Sequence, residues 1–448
     1  MKNTTFAGVI FALVALNGPL SAQSTMELIP FKNFLENAKT ASFDPTRPGS
    51  RVKDAAAFEE MRRHLLTMYQ GVDANHTFVL DGAHFDCIPA AQQPSIRILG
   101  LEGMAERPPQ SLLKAPGKDP KEAAGAASEG PTNRVAPWDR TNTADEFGNA
   151  VGCDSDSLAM RRITLEDMTR FPTLHDFLSK GPDGFGRPFD TAGEVAPAAS
   201  APPHKYSYML QNVNNLGGNS SLNLWSPDVN TALGEQMSLS QEWYTGGSGA
   251  ALQTAEVGWQ VQPGLFNTQS AVLFIFWTAD NYAGKLCYNL TCGAFVQYPG
   301  TGIILGARFA NYSTFGGSQY EMSAAYYLYK GNWYLAIDGN WVGYYPASIY
   351  NGGQMSRYAQ TIMYGSESAT TTTVYPPEGS GDWSSLGFAK AAYQRNVFYY
   401  NLSGKAIWST LTAEQPSKSC YTTSQPLYST SPGWGVYFYE GGPGGSGC

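Results

Sequence analysis

Tyr320-Glu321-Met322-Ser323-Ala324-Ala325-Tyr326-Tyr327-Leu328-Tyr329, followed closely by Trp333-Tyr334-Leu335-Ala336-Ile337, is the stretch whose reading decides the fold. Short bursts of apolar alternation put one face of a strand against a core and the other away from it. The same texture recurs at Leu222-Asn223-Leu224-Trp225 and from Ala271 to Trp277. Gly-, Asn- and Pro-rich turns separate the bursts at intervals of roughly 10 to 15 residues, the rhythm of an antiparallel β-sandwich or barrel rather than of βαβ units. There is no fixed-period repeat of the kind a propeller requires.

Upstream of about Tyr206 the chain has another character. Asp54 to Tyr69 reads as an amphipathic helix, with Phe58, Met61, Leu65 and Met68 at helical spacing. Thr77-Phe78-Val79-Leu80 is strand-like and ends at the turn signal Asp81-Gly82. Leu101 to Gly152 is rich in Ala, Gly, Pro and charge, which predicts a solvated linker. Arg161 to Lys180 is a second helical patch punctuated by Pro172, and Thr164 and Thr173 are each followed three residues later by an Asp, as in a capping box. Val195 to Pro203 is a further Pro/Ala stretch.

At the N-terminus, Lys2, the apolar run Phe6 to Leu16 and the small-residue site Pro19-Leu20-Ser21-Ala22 predict a signal peptide. No later stretch approaches the roughly 18 apolar residues of a membrane span. The expected organisation is therefore a signal peptide over 1–22, a smaller α+β domain over 23–203 with flexible linkers at about 101–152 and 181–203, and a mainly β, antiparallel sandwich over 204–448. The expected product is secreted and extracellular, with no membrane partner. A mobile Pro-rich joint ahead of a compact domain is also where proteolytic nicking concentrates.

The net charge of −8 argues against a nucleic-acid partner. Six cysteines, an even number in an exported chain, favour disulfides over metal sites. Cys287 and Cys292 are spaced to close a tight strand-end loop, Cys420 and Cys448 to staple the C-terminal tail, leaving Cys87 and Cys153; six cysteines nevertheless allow fifteen connectivities.

The five histidines are His64, His76, His84, His175 and His204, and none lies beyond 204. A catalytic β domain would then be without Ser-His-Asp or Cys-His chemistry and without His-ligated zinc. No phosphate loop or dinucleotide fingerprint is present, and no cofactor or metal is implied. Acid–base work falls to twelve carboxylates, most of them beside turn residues as solvated loop charges are. Glu256, in Thr254-Ala255-Glu256-Val257-Gly258-Trp259-Gln260-Val261, and Glu367, in Met363-Tyr364-Gly365-Ser366-Glu367-Ser368, have no cation nearby in sequence. Two carboxylates with separated pKa values can run peptide or glycosidic hydrolysis.

Several segments, taken in order, resemble the neprosin family of glutamic endopeptidases: Glu256-Val257-Gly258-Trp259-Gln260-Val261-Gln262-Pro263, Phe276-Trp277-Thr278-Ala279-Asp280-Asn281-Tyr282 and Cys287-Tyr288-Asn289-Leu290-Thr291-Cys292-Gly293. Gly331-Asn332-Trp333-Tyr334-Leu335, Val342-Gly343-Tyr344-Tyr345-Pro346 and Glu378-Gly379-Ser380-Gly381 extend the likeness. Phe85-Asp86-Cys87-Ile88-Pro89 and Arg161-Arg162-Ile163-Thr164 resemble the family's removable pro-region.

The resemblance implies a zymogen whose catalytic glutamates are Glu256 and Glu367, with cleavage on the C-terminal side of proline at acidic pH. It further implies Cys287–Cys292 and Cys420–Cys448 disulfides. Tyr334 and Tyr345 stand where many relatives have Trp, Ser366 where Gly is usual and Glu378 where Met is common.

On this reading Trp259, Trp277 and Tyr344 would stack on a prolyl ring, and Gln260, on the same face as Glu256, would orient water or carbonyl. The expected partners are proline-containing peptides or proteins and the chain's own pro-domain. Exposed aromatics equally suit a carbohydrate-binding, lectin-like sandwich, and the carboxylates a glycoside hydrolase.

Overall fold

The computed structural model describes residues 27–117, 132–134, 144–180 and 204–448; the expected signal peptide and the 181–203 joint lie outside them. The chain from 204 onward forms two large antiparallel sheets packed face to face. The first sheet runs, edge to edge, Leu286–Tyr288, Val272–Thr278, Gln253–Val261, Glu235–Gly246, Ala359–Thr370, Lys205–Asn215 and Thr412–Glu414. The second has eleven strands, ten from this part of the chain and one, Asn133–Arg134, added in parallel to Tyr320–Tyr329 from upstream, with Gly217–Asn223, Tyr320–Tyr329 and Ala392–Tyr400 at its middle. The predicted sandwich is what is observed.

Turn chemistry joins the opening stretch to its neighbours. Lys330 and Gly331 both have positive φ (46° and 78°), as have Asp338 and Gly339 (47° and 75°), so each two-residue loop has the backbone twist that antiparallel hairpins favour. Strand Tyr320–Tyr329 consequently pairs with Asn332–Ile337, and that with Asn340–Pro346.

Alternation then sorts side chains between faces. Along Gln253–Val261, Ala255, Val257, Trp259 and Val261 point inward and join Leu222, Leu224, Ile275 and Trp333 in the core between the sheets. Trp259 Nε1 donates to the Asn223 carbonyl of the opposite sheet at 2.9 Å, and the Tyr326 hydroxyl reaches back to the Glu256 carbonyl at 3.3 Å. Thr254, Glu256, Gly258 and Gln260 consequently face outward from the first sheet.

Residues 27–180 form the smaller α+β region. Helices Phe31–Thr40 and Ala55–Met68 pack on a three-stranded sheet of His76–Leu80, Ala83–Pro89 and Ser157–Arg161. Asp54 caps the second helix by accepting from Ala57 N at 2.8 Å. The two family-like pro-region motifs meet here. Asp86 and Arg162, both buried, form a charge-assisted pair (Nε to Oδ2, 2.8 Å), and Thr77 donates to the same carboxylate at 2.7 Å. The patch 161–180 resolves into two short helices, Leu165–Thr169 and Leu174–Leu178, capped by Thr164 and Thr173, with a full capping box at Thr164 and Asp167.

Two expectations need correcting. Residues 101–117 are not a solvated linker but a strap along the outer face of the second sheet. Leu101, Ala105, Leu112 and Leu113 pack against a tyrosine-rich cluster there, and apolar side chains in the Pro-rich run supply the adhesion that composition hid. Cys87–Cys153 and Cys287–Cys292 are bonded, whereas Cys420 and Cys448 are free thiols. They are adjacent, Cys448 hydrogen-bonding to Cys420. The tail is instead held by its backbone, with the Cys448 carbonyl taken by Lys205 Nζ at 3.0 Å and Gly445–Ser446 paired to Val374–Tyr375. No described helix is long and apolar enough to cross a membrane.

Gly258 tests the register on which the site is built. It sits opposite Gln241, and a Cβ there would lie 2.1 Å from the Ser240 carbonyl oxygen. Gly258→Ala should therefore lower the stability to chemical denaturation by about 1–3 kcal/mol, the usual cost of overpacking; an unchanged denaturation midpoint would show that the two strands separate freely.

Candidate active site

The central strand Glu235–Gly246 positions the site. Gln241 lies opposite Gly258 on one side and Gly365 on the other, while Glu256 pairs with Trp243 and Glu367 with Leu239. The two glutamates therefore stand diagonally across one strand on the outer face, with Gln241 between them and side-chain-free glycines as the floor. Both carboxylates are about 1% exposed.

That burial is possible because cation and donors surround them. Lys180, two residues beyond helix Leu174–Leu178, inserts its ammonium between the carboxylates. It bonds Glu256 Oε2, reaches Glu367 Oε2 at 3.3 Å and donates to Gln241 Oε1 at 2.8 Å. The rings of Phe274 and Phe276 lie 5.4 and 5.5 Å from the same nitrogen. Glu256 Oε1 accepts from Thr254 Oγ1 at 2.7 Å and from the Tyr282 hydroxyl at 3.1 Å. Glu367 accepts from Gln241 Nε2 at 3.0 Å and the Tyr206 hydroxyl at 3.2 Å, and its Oε1 lies 2.5 Å from His204 Nδ1.

Burial pushes the Glu367 carboxyl upward, but Lys180 and His204 overcome it and hold the group down at about 2. Burial likewise pulls the Lys180 ammonium down, and the two glutamates more than offset this, so its pKa is raised. The Tyr206 and Tyr282 phenols are pushed well above their ordinary value by burial and remain donors.

Glu256 and Glu367, singled out in the sequence, are brought together. Gln260 shares their face but lies beyond Gly258, donating to Gln262 Oε1 at 2.6 Å and the Tyr288 hydroxyl at 3.1 Å. Three expected binding aromatics lie elsewhere. Trp259 and Trp277 point into the core, Trp277 against Tyr345 and Tyr350, because each is an odd number of residues from an outward-facing neighbour. Tyr344 lies on the far side of the second sheet, its hydroxyl accepting from Ala105 N at 2.8 Å. The rings that do line the site are Phe274, Phe276, Tyr282, Tyr206 and Trp243; Phe276 is the register partner of Glu256 and was legible from it.

Gln241, Lys180 and His204 were missed. The β domain is also not histidine-free at its site, since His204, its first residue, touches Glu367.

Residues 234–443 match the Neprosin family profile. Over this span the chain is similar to the neprosin family. The match supports a peptidase-type function, and the matched span contains Glu256, Glu367 and Gln241 while Lys180 lies upstream of it.

Behind this face, between the two sheets, lies a second acidic layer. Ser240 donates to Glu440 Oε1 at 2.6 Å, Ser207 to Glu378 Oε2 at 3.0 Å, and Gln394 joins Ser240 at 3.0 Å. Burial pushes Glu440 up to about 7 and Glu378 well above the carboxylate range.

The sign of the pH effect follows. The unfolded chain releases the Glu440 proton near 4.5, the folded chain near 7, so rising pH favours unfolding across that window. Thermal stability should fall between pH 4.5 and 7 by on the order of 3 kcal/mol from this group alone. Melting Glu440→Gln at both pH values should show a flatter profile; an identical slope would remove Glu440 as its source.

Proposed function

We propose that this protein is a secreted glutamic endopeptidase made as a zymogen, in which Glu256 and Glu367 activate water against a peptide bond in acid. The observation that carries this reading is the Lys180 ammonium. A single nitrogen, the size of a water oxygen, is held at once by both carboxylates and by Gln241. A water in that position would have one carboxylate to take its proton and another, protonated, to polarise the scissile carbonyl and then protonate the leaving nitrogen. With Lys180 withdrawn, two neighbouring carboxylates in a buried site share a proton, which places the working range in acid.

Lys180 is thus both a mimic of the water and a lock. In this reading residues 23–203 are the inhibitor and the 181–203 joint is where the chain is cut, with Pro203-His204 a fitting bond for a proline-directed enzyme. The aromatic surround of Phe274, Phe276 and Tyr282 suits a prolyl ring, and the outward aromatic face supports peptide cleavage after proline. Disulfides within both halves accord with export.

The linkage works in the direction of acid activation. Lys180, together with His204 of the sandwich itself, holds the Glu367 carboxyl at about 2, so the lysine's share stabilises the docked pro-region above the ordinary carboxylate range and is lost as pH falls toward 2. Release of the N-terminal region, followed by size, should accordingly rise over that interval. Lys180→Met should give activity in the uncut chain on a short proline-containing peptide at pH 5. Glu256→Gln and Glu367→Gln should each lower kcat at least about a hundredfold, with unchanged thermal stability in the processed form. Near-normal hydrolysis by either glutamine variant would overturn the dyad.

A further inference from the structure

The strap 101–117 lies on the opposite side of the sandwich from the glutamates, and its mode of attachment is specific. The Tyr344 hydroxyl accepts from Ala105 N at 2.8 Å, the Tyr298 hydroxyl donates to Ala105 O at 2.8 Å, and the Tyr334 hydroxyl donates to Glu106 O at 3.2 Å. Arg107 stacks 4.7 Å over the Tyr298 ring and donates to the Pro299 carbonyl at 2.9 Å. Pro108 is buried, and Pro109 has φ −56° and ψ 135°, the polyproline II region.

Three tyrosine hydroxyls therefore read only main-chain atoms of the strap, and beside them Leu101, Ala105, Leu112 and Leu113 pack on the aromatic cluster while Pro108 is buried. Polyproline II backbone has no internal hydrogen bonds, so its carbonyls are open to such donors, and aromatic grooves recognise it for that reason. Nothing in the three tyrosine hydrogen bonds depends on the side chains of Ala105 or Glu106.

We propose that the outer face of the second sheet, around Tyr298, Tyr334 and Tyr344, is a second binding site for extended proline-containing polypeptide, and that the strap is its built-in occupant. The proposal rests on the zymogen reading, because only departure of the N-terminal region bares the face. In the processed enzyme the site holds a distant part of a long proline-rich chain while the glutamates act on another part. Short peptides, which cannot reach both faces, gain nothing from it.

The test uses the full-length chain after acid processing, with departure of the N-terminal region verified by mass. A synthetic peptide of residues 101–117 is titrated onto it in the presence of a saturating short peptide inhibitor of the cleft. The expected result is saturable binding, weakened about three- to tenfold by Tyr298→Phe or Tyr344→Phe, which keep the ring and remove one hydrogen bond. Binding should also weaken when alanine replaces both Pro108 and Pro109 of the peptide. The same variants should raise KM for a long proline-rich protein and leave kcat/KM for a short peptide unchanged.

No binding once the cleft is blocked, or binding indifferent to these changes, overturns the second site. Failure of the zymogen reading registers separately, as activity of the uncut chain on the short peptide or retention of the N-terminal region after the cut.

Discussion

Everything at the outer face of the first sheet depends on one ammonium standing between two buried carboxylates. Two glutamates, each about 1% exposed, cannot both be ionised in so dry a place without a compensating charge. Lys180 supplies it, and the hydroxyls of Thr254, Tyr206 and Tyr282 satisfy the remaining lone pairs. Because the cation comes from outside the sandwich, the protonation state of the pair belongs to the docked arrangement and not to the sheet alone. Withdrawing the lysine changes the chemistry of the site before any backbone moves.

The sheet makes this arrangement possible by strict division of labour between its faces. Outward positions alternate function with glycine, as in Glu256-Val257-Gly258 and Gly365-Ser366-Glu367, and Gln241 threads between them. Inward positions alternate core with serine, and Ser207 and Ser240 meet the protonated acids Glu378 and Glu440. One residue of slip on strand Ala359–Thr370 would exchange Glu367 for Ser366 and bring an acid into the core.

Much of this was legible in the sequence. The alternating bursts and the turn residues between them gave two-faced strands, and the absence of lysine or arginine around Glu256 and Glu367 set those two apart. The aromatic residues differ from expectation for a physical reason. Trp259 and Trp277, expected against a prolyl ring, lie on the inner face because the period of two places them opposite Glu256 and its partner Phe276. Tyr344 was one residue from the inward Tyr345, and single-residue parity decides between the core and the far surface.

Lys180 could not have been found from spacing, since it lies 76 and 187 positions from the carboxylates it joins. Exclusion by histidine count failed at its own boundary, at His204. The strap was hidden because proline and alanine signal solvent exposure unless a complementary aromatic surface is known.

The disulfide pattern carries a consequence of its own. Cys87–Cys153 lies within the N-terminal region and Cys287–Cys292 within the sandwich, and the free Cys420 and Cys448 are both in the latter. No sulfur bridge joins the halves, so the backbone between 180 and 204 is their one covalent tie. While it is intact, Lys180 faces its carboxylates at an effective concentration of millimolar order. Once it is cut, the same contacts compete at whatever concentration the two pieces have. On the proposed zymogen reading, latency would then be a function of dilution: a severed piece would rebind where the two are concentrated and be lost where they are dilute.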